Sequence, residues 1–250
     1  MVQFRAAAAP SVASRLELRE FFLLLARAIE LWVRLCPAIT FYVVVRLFRL
    51  TWLRERWLRS LVAALAKNGP VGIKWGQWAS TRYDLFEEDL CEALNQLTNQ
   101  APVHSFDHSK RLVESAFGAT LPELFSSFDS TPLASGSIAQ VHRAVLRDDG
   151  TDVIVKVQHP GLGRRLALDM YLLRALSKGC GRLHALRGLR ISETVDQFAS
   201  NFTAQLDFRD EAANLLRFAA NFDTSFWRAI ISFPRPIERY VARQVLLAHT

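Results

Sequence analysis

Between Phe21 and Leu53 the chain is strongly apolar, interrupted by Arg27, Glu30, Arg34, Arg46 and Arg49. Arg27, Glu30 and Arg34 are spaced by three and four residues, so a helix carries them as one charged stripe on an otherwise greasy cylinder. Pro37 predicts a kink or a stop within this run. No glycine occurs before Gly69, which suits a continuous helical region, and Asn68-Gly69-Pro70 closes it. Further on, the pattern predicts helices over about 87–99 and 107–117, the second capped by Asp107 and stopped by Gly118. The β-prone runs Ile138–Leu146 and Val153–Val157 flank Asp148-Asp149-Gly150, which predicts a hairpin, and His159-Pro160-Gly161 ends its second strand. Helices are then expected over about 164–178 and 192–220. In the second, Val195, Phe198, Phe202 and Leu206 recur at steps of three, four and four and make one apolar face. Phe233-Pro234-Arg235-Pro236 breaks the chain again, and Tyr240–Leu247 reads as a strand.

Composition narrows the class. Of 250 residues, 50% are hydrophobic and 22% charged, which excludes wholesale disorder. Cys36, Cys91 and Cys180 stand far apart, which excludes a disulfide scaffold and any C-x-x-C site. The net charge of +7 is concentrated at the start: residues 1–60 carry ten arginines and no lysine against four acidic residues. A nucleic-acid-binding fold would carry its basic stripe within the folded part, so no nucleic-acid partner is expected. Residues 1–20 suit a targeting segment, since Met1–Ser14 is rich in Ala, carries Arg5 and has no acidic residue. The longest uncharged run, Leu35–Val45, has 11 residues, short of a bilayer span. Two readings of residues 21–68 stay open: helices lying in a membrane interface with Trp32, Trp52 and Trp57 at headgroup level, or a pair of core helices.

The candidate chemistry lies in Val153-Ile154-Val155-Lys156-Val157. A lysine inside an apolar strand is costly to bury without an anionic partner. A strand of this kind after a hairpin resembles the kinase arrangement, in which the strand lysine holds ATP phosphates and pairs with a helix glutamate. Ala134-Ser135-Gly136-Ser137 is the candidate phosphate loop, because small side chains let backbone approach a phosphate closely. Asp207 and Glu211 are four apart on a predicted helix, and Glu211 is the candidate partner of Lys156. Taken singly, each feature also suits an ordinary edge-strand lysine and a solvated helix face. His104, His108 and His142 have no ligand-like company in the sequence and read as polar surface or loop residues.

Four strings in order make the pattern specific: G-I-K-W-G-Q-W-A-S-T-R (72–82), A-S-G-S-I-A-Q-V-H-R-A (134–144), V-I-V-K-V-Q-H-P-G (153–161) and Q-L-D-F-R-D-E-A-A-N (205–214). On these the chain resembles the UbiB/AarF-domain-containing (ADCK-type) atypical kinase-like family, with W-A-S-T-R similar to its mitochondrial branch. The resemblance covers about residues 68–247. It implies an α+β fold: a protein-kinase-like N-lobe, with a small antiparallel sheet plus helices, preceded by a helical N-terminal extension. The expected organisation is a targeting segment (1–20), an apolar Arg-containing helical extension (21–68), a helical Lys-x-Gly-Gln extension (69–131) and an incomplete N-lobe (132–250), with the C-lobe absent.

By resemblance, Lys74, Gly76 and Gln77 belong to an extension that folds over the nucleotide pocket and blocks protein substrates. Ala134–Ser137 corresponds to the alanine-rich loop, Lys156 to the phosphate-holding lysine and Glu211 to its partner. Gln205 and Asp207 match the Glu-x-Asp element that faces the Lys-x-Gly-Gln segment. Gln205 departs from the frequent Glu, which leaves Lys74 a neutral partner there. Gly136 makes the loop less alanine-rich.

ATP or ADP and Mg²⁺ are the cofactors that the resemblance implies. The 250 residues hold no H-x-D-x-x-x-x-N and no D-F-G, so no metal-site residue is assigned, and weak nucleotide binding without catalysis is expected of this polypeptide. The family is linked to quinone (coenzyme Q) biosynthesis and lipid homeostasis. This implies a mitochondrial, membrane-associated protein, with a plastid as the alternative location. Expected partners are a membrane or lipid, and a protein covering the exposed face of the lobe. A non-catalytic, membrane-associated helical protein that binds lipid or a partner is the rival reading.

Overall fold

A computed structural model describes residues 18–48, 50–98, 103–180, 191–228 and 230–249. The chain opens with helices α1 (Leu18–Phe48), α2 (Thr51–Lys67), α3 (Pro70–Ser80) and α4 (Glu88–Asn95), and α4 ends in a 3₁₀ turn at Gln96–Thr98. Helices α5 (Phe106–Phe117) and α6 (Leu121–Leu124) lead into strands β1 (Phe125–Phe128), β2 (Ala134–Ser135), β3 (Ala139–Leu146) and β4 (Asp152–Gln158). Then come α7 (Leu162–Cys180), α8 (Ile191–Ala204), α9 (Phe208–Asn221) and α10 (Ser225–Arg228), and the hairpin β5 (Pro236–Val241) and β6 (Val245–His249). The expected targeting segment lies outside the described residues except for Leu18–Glu20, which open α1.

The strands form one antiparallel sheet in the order β1-β3-β4-β6-β5, with β2 also on β3. Alternation assigns the two faces. Val153, Val155 and Val157 of β4 pack with Ala144, Leu146, Val245 and Leu247 against Val113 of α5 and Leu121 and Leu124 of α6. The intervening residues of β4, Lys156 among them, therefore face the other side. There Phe208 and Ala212 of α9 cover Ala139 and Leu246. This mixed α+β architecture is the expected kinase-like N-lobe with a helical N-terminal region.

Two further cores join the helices. Val62, Leu65, Ile73, Ala79, Leu94 and Leu97 knit α2, α3 and α4 together. Val71 meets Leu162, Leu166 and Met170 of α7 and Ala199 and Phe202 of α8. The corner between α2 and α3 needs Gly72, since a Cβ there would stand 2.3 Å from the Leu65 carbonyl oxygen. Gly118 ends α5 with φ 68°, a conformation only glycine adopts freely.

Several elements differ from the sequence expectation, each for a tertiary reason. Helix α1 runs through Pro37 because both its halves are docked. Arg27 binds Asp169 of α7, and Trp57 Nε1 donates to the Ala38 carbonyl at 2.9 Å. The single helix expected over 192–220 is two. The linker between them is held from outside, with Leu206 O accepting from Gln158 Nε2 at 3.0 Å and Phe208 N donating to Arg243 O at 3.0 Å. Asp207 caps the second helix, its carboxylate accepting from Arg209 N. The N-cap of α5 is Ser105, with Asp107 in the first turn, where its charge favours the helix dipole. The strand expected over 240–247 is a hairpin turning at residues 242–244.

Helix α1 is amphipathic the wrong way round for a core helix. Its charged stripe turns inward: Arg27 donates to both oxygens of Asp169 (2.6 and 2.9 Å) and to the Asn68 carbonyl (3.0 Å), and Arg34 donates to the Lys67 carbonyl. The Arg27 and Asp169 side chains are only 5% and 3% exposed. Its apolar residues Phe22, Leu25, Ile29, Trp32, Ile39, Val43 and Leu47 point outward, with Phe22 63% and Trp32 65% exposed. The core-helix reading does not fit this outward face of α1 but holds for α2, whose Trp57, Leu58, Val62 and Leu65 are buried, so Trp57 does not stand at headgroup level.

Candidate functional site

Strand parity sends Lys156 to the α9 side of the sheet, and the Asp207 cap places Glu211 in the opening turns of α9 opposite it. Lys156 Nζ lies 2.7 Å from each carboxylate oxygen of Glu211. The ammonium also stands 4.9 Å from the centroid of Phe208, a fully buried ring that fixes the start of α9. The pair is half-buried. Such a pair adds about 0–1 kcal/mol to stability, so its geometry is not required to hold the lobe together.

Lys74 approaches from α3. Burial pushes its pKa down, and the charge of Lys156 pushes it in the same direction. Two ammonium groups thus sit within electrostatic reach with Glu211 as the carboxylate between α9 and β4, a local excess of positive charge suited to an anion. Beside them a cleft of about 690 Å³ opens between α3 and α8. Lys74, Gln77 and Gln205 line it together with Trp78, Asn201 and Phe202. The cleft adjoins the lysine–glutamate pair and is lined by neither Lys156 nor the 134–137 loop.

The remaining sequence-selected residues divide. Gln205 lines the cleft with Lys74. Asp207 turns instead to its own helix: Arg209 binds its carboxylate at 2.9 and 2.5 Å and holds its pKa below the usual carboxylate range. Gly76 is a packing residue, since a Cβ there would meet Leu97 Cδ1 at 2.2 Å. Ala134 and Ser135 form β2, Gly136 N donates to Ala139 O at 2.8 Å, and Ser137 is buried at the turn into β3.

Behind this loop lies a polar group that includes His104 and His142, both expected as surface or loop residues; His104 is in a loop and His142 is in β3. His142 and Ser109 are fully buried, and His104 is half-buried. His159 Nε2 contacts the Gly136 carbonyl at 2.8 Å, and His159 Nδ1 contacts His104 Nδ1 at 2.7 Å. His104 Nε2 contacts Ser109 Oγ at 2.9 Å, and His142 Nδ1 contacts the Asp129 carbonyl at 2.8 Å. Gln140 Nε2 joins the group at 3.2 Å from Ser109 Oγ and 3.0 Å from His142 Nε2. Burial, then the charges of the neighbouring histidines, lowers the His104 pKa to about 4, and burial also lowers those of His142 and His159. The signal in the sequence was parity: Gln140 and His142 alternate with Val141 and Arg143, on the face that continues to Ala144 and Leu146. Among the described residues no group of three or more His, Cys, Asp or Glu is arranged to hold a metal ion.

An antiparallel sheet with a strand lysine paired to a helix glutamate, beside a turn of small residues, defines a protein-kinase-like N-lobe. Residues 96–249 match the ABC1 atypical kinase-like domain, and the chain belongs to that family, as the four strings implied. It is 35% identical over 195 residues to a probable serine/threonine-protein kinase, abkC, of Dictyostelium discoideum, covering 78% of this chain and 28% of the relative. A probable protein kinase UbiB of Aeromonas hydrophila is 35% identical over 180 residues, covering 72% and 32%. A mitochondrial ABC1 family protein of Schizosaccharomyces pombe is 27% identical, covering 92% and 38%. The chain therefore spans about a third of the length of these relatives.

Proposed function

We propose that this chain forms the nucleotide-binding lobe of a UbiB-type kinase-like protein serving ubiquinone biosynthesis or lipid homeostasis. The observation that carries the reading is the two-pronged Lys156–Glu211 pair beside the 134–137 loop. The positive excess at Lys74 and Lys156 and the small side chains of Ala134, Ser135 and Gly136 fit the phosphates of ATP or ADP. When bound, the nucleotide supplies the anion that this cluster lacks. Transfer of its phosphoryl group calls for an aspartate–asparagine loop and a D-F-G aspartate to hold Mg²⁺, and neither motif occurs in these 250 residues.

The test is a titration of the purified chain with a fluorescent ADP analogue. Lys156→Met is expected to weaken binding about tenfold or more, and Glu211→Gln by a smaller factor, with little change in melting temperature. Equal affinity in the wild-type chain and in Lys156→Met would overturn the reading.

The outward apolar stripe of α1 supports a second part of the proposal, association with a membrane. By length and composition Glu20–Phe48 is able to cross a bilayer. Its docking on α7 through the buried Arg27–Asp169 pair favours a helix lying along the body with Phe22, Ile29 and Trp32 in the lipid interface. The arginine-rich start of the chain complements anionic lipid, and the mitochondrial name of the fission-yeast relative supports a mitochondrial membrane.

A further inference from the structure

We propose that His159, with its tautomer set by His104, is the positioning residue that aims the 134–137 loop at a bound phosphate; this rests on the nucleotide-binding reading above. The hydrogen bonds permit one assignment of protons to the neutral group. The Gly136 carbonyl only accepts, so His159 Nε2 carries the hydrogen at their 2.8 Å contact. His159 Nδ1 is then an acceptor, and at 2.7 Å the N–H of His104 Nδ1 donates to it. His104 Nε2 is in turn an acceptor for the Ser109 hydroxyl at 2.9 Å. His104 is itself clamped: its backbone N–H donates to Gln140 Oε1 at 3.0 Å, and its carbonyl accepts from Gln140 Nε2 at 3.3 Å.

His159 grips the loop at two points. Its ring holds the Gly136 carbonyl, and its backbone N–H donates to the Ile138 carbonyl at 3.0 Å. A trans peptide points the carbonyl of one residue and the N–H of the next in opposite directions, and the described chain has no cis peptide. Pulling the Gly136 carbonyl toward the histidines thus turns the Ser137 N–H away from them. By strand parity the histidines share the α5 side of the sheet with Val155 and Val157, and Lys156 stands on the other side. Gly136 itself has room for a Cβ, whose nearest neighbour would be Ala139 O at 3.7 Å, so this bond rather than glycine's freedom orients the peptide.

Three measurements test this on the full chain. Nitrogen-15 NMR of the histidine rings, in the nucleotide-free wild type at pH 7.5, should show His159 protonated at Nε2 and His104 at Nδ1. The reverse assignment, or rapid averaging at His159, sinks the inference without any variant. Amide hydrogen exchange at residues 136–138 should accelerate about tenfold in His159→Leu with β3 and β4 still protected. His159→Gln, whose side-chain amide can still donate, should restore wild-type rates. Binding of the fluorescent ADP analogue should weaken about fivefold to tenfold in His159→Leu and recover in His159→Gln. If wild type and His159→Leu bind equally, His159 does not position the loop. If the tautomers and exchange rates are as expected but the wild type binds no nucleotide, the nucleotide reading falls and the grip on the loop stands.

Discussion

A half-buried histidine with both ring nitrogens engaged accepts a proton only if a neighbour reverses its role, and His104 is such a residue. Its pKa is about 4 in the folded protein against about 6.5 in an unfolded chain, so between these values the unfolded state binds more protons. The stability it contributes is present above pH 6.5 and is lost as the pH falls toward 4. His142 and His159 are shifted the same way and add to the slope. The urea midpoint is therefore expected to be flat between pH 7 and 8.5 and to fall steadily from pH 6.5 to 4.5, less steeply in His104→Gln. A midpoint that holds steady down to pH 4.5 would show that the histidines titrate freely. Residues of this kind mark the limit of sequence reading at the finest scale. Lys156 stood out as a lysine inside an apolar strand, and Glu211 was marked as its partner by the resemblance of the 205–214 string, since spacing alone put Asp207 and Glu211 on one helix face. His159 was legible only as the end of a strand, since its partners Gly136 and His104 lie 23 and 55 residues away in sequence.

Helix α1 shows what packing adds at the scale of an element. Its heptad-like polarity was visible in the sequence, but which side faced the protein was not, because a charged stripe usually faces water. Asp169 reverses it, supplying the carboxylate that makes burial of Arg27 tolerable. Arg27→Leu leaves Asp169 buried without its partner and is expected to cost about 3–5 kcal/mol in chemical unfolding. Arg27→Leu combined with Asp169→Leu should cost clearly less, because no uncompensated charge remains. A single variant as stable as wild type would mean that α1 is not docked through this pair. The same logic explains Pro37 and the break between α8 and α9. Local signals allowed a stop at Pro37 and predicted continuity at 205–207; the helix continues through Pro37 and breaks at 205–207, where Trp57 and Arg243 respectively make contacts from far along the chain.

For the whole molecule, the consequential feature is a row of exposed apolar side chains, Phe22, Leu25, Ile29, Trp32, Val43 and Leu47, along one edge of a folded body. Soluble surfaces seldom carry such a row uncovered, and an anionic membrane is its proposed occupant. The chain is expected to float with vesicles containing an anionic lipid and less with neutral ones, with tryptophan emission shifting to the blue. The triple variant Phe22→Ser, Ile29→Ser, Trp32→Ser should stay in the soluble fraction. Flotation of that variant at the wild-type level would place the membrane contact elsewhere, and a wild-type chain that dimerises without floating would assign the row to a second copy. The sequence alone determined the family and, through the order of its four strings, pointed to the lysine and glutamate; periods of two and 3.6 determined the hairpin and the α+β class. Only the tertiary structure decided that Arg27 of α1 turns inward onto Asp169, that Asp207 serves its own helix, and that His104, His142 and His159 stand behind the loop. Each of these depends on a partner brought from far along the chain, and burial changes what a polar side chain is able to do once that partner is in place.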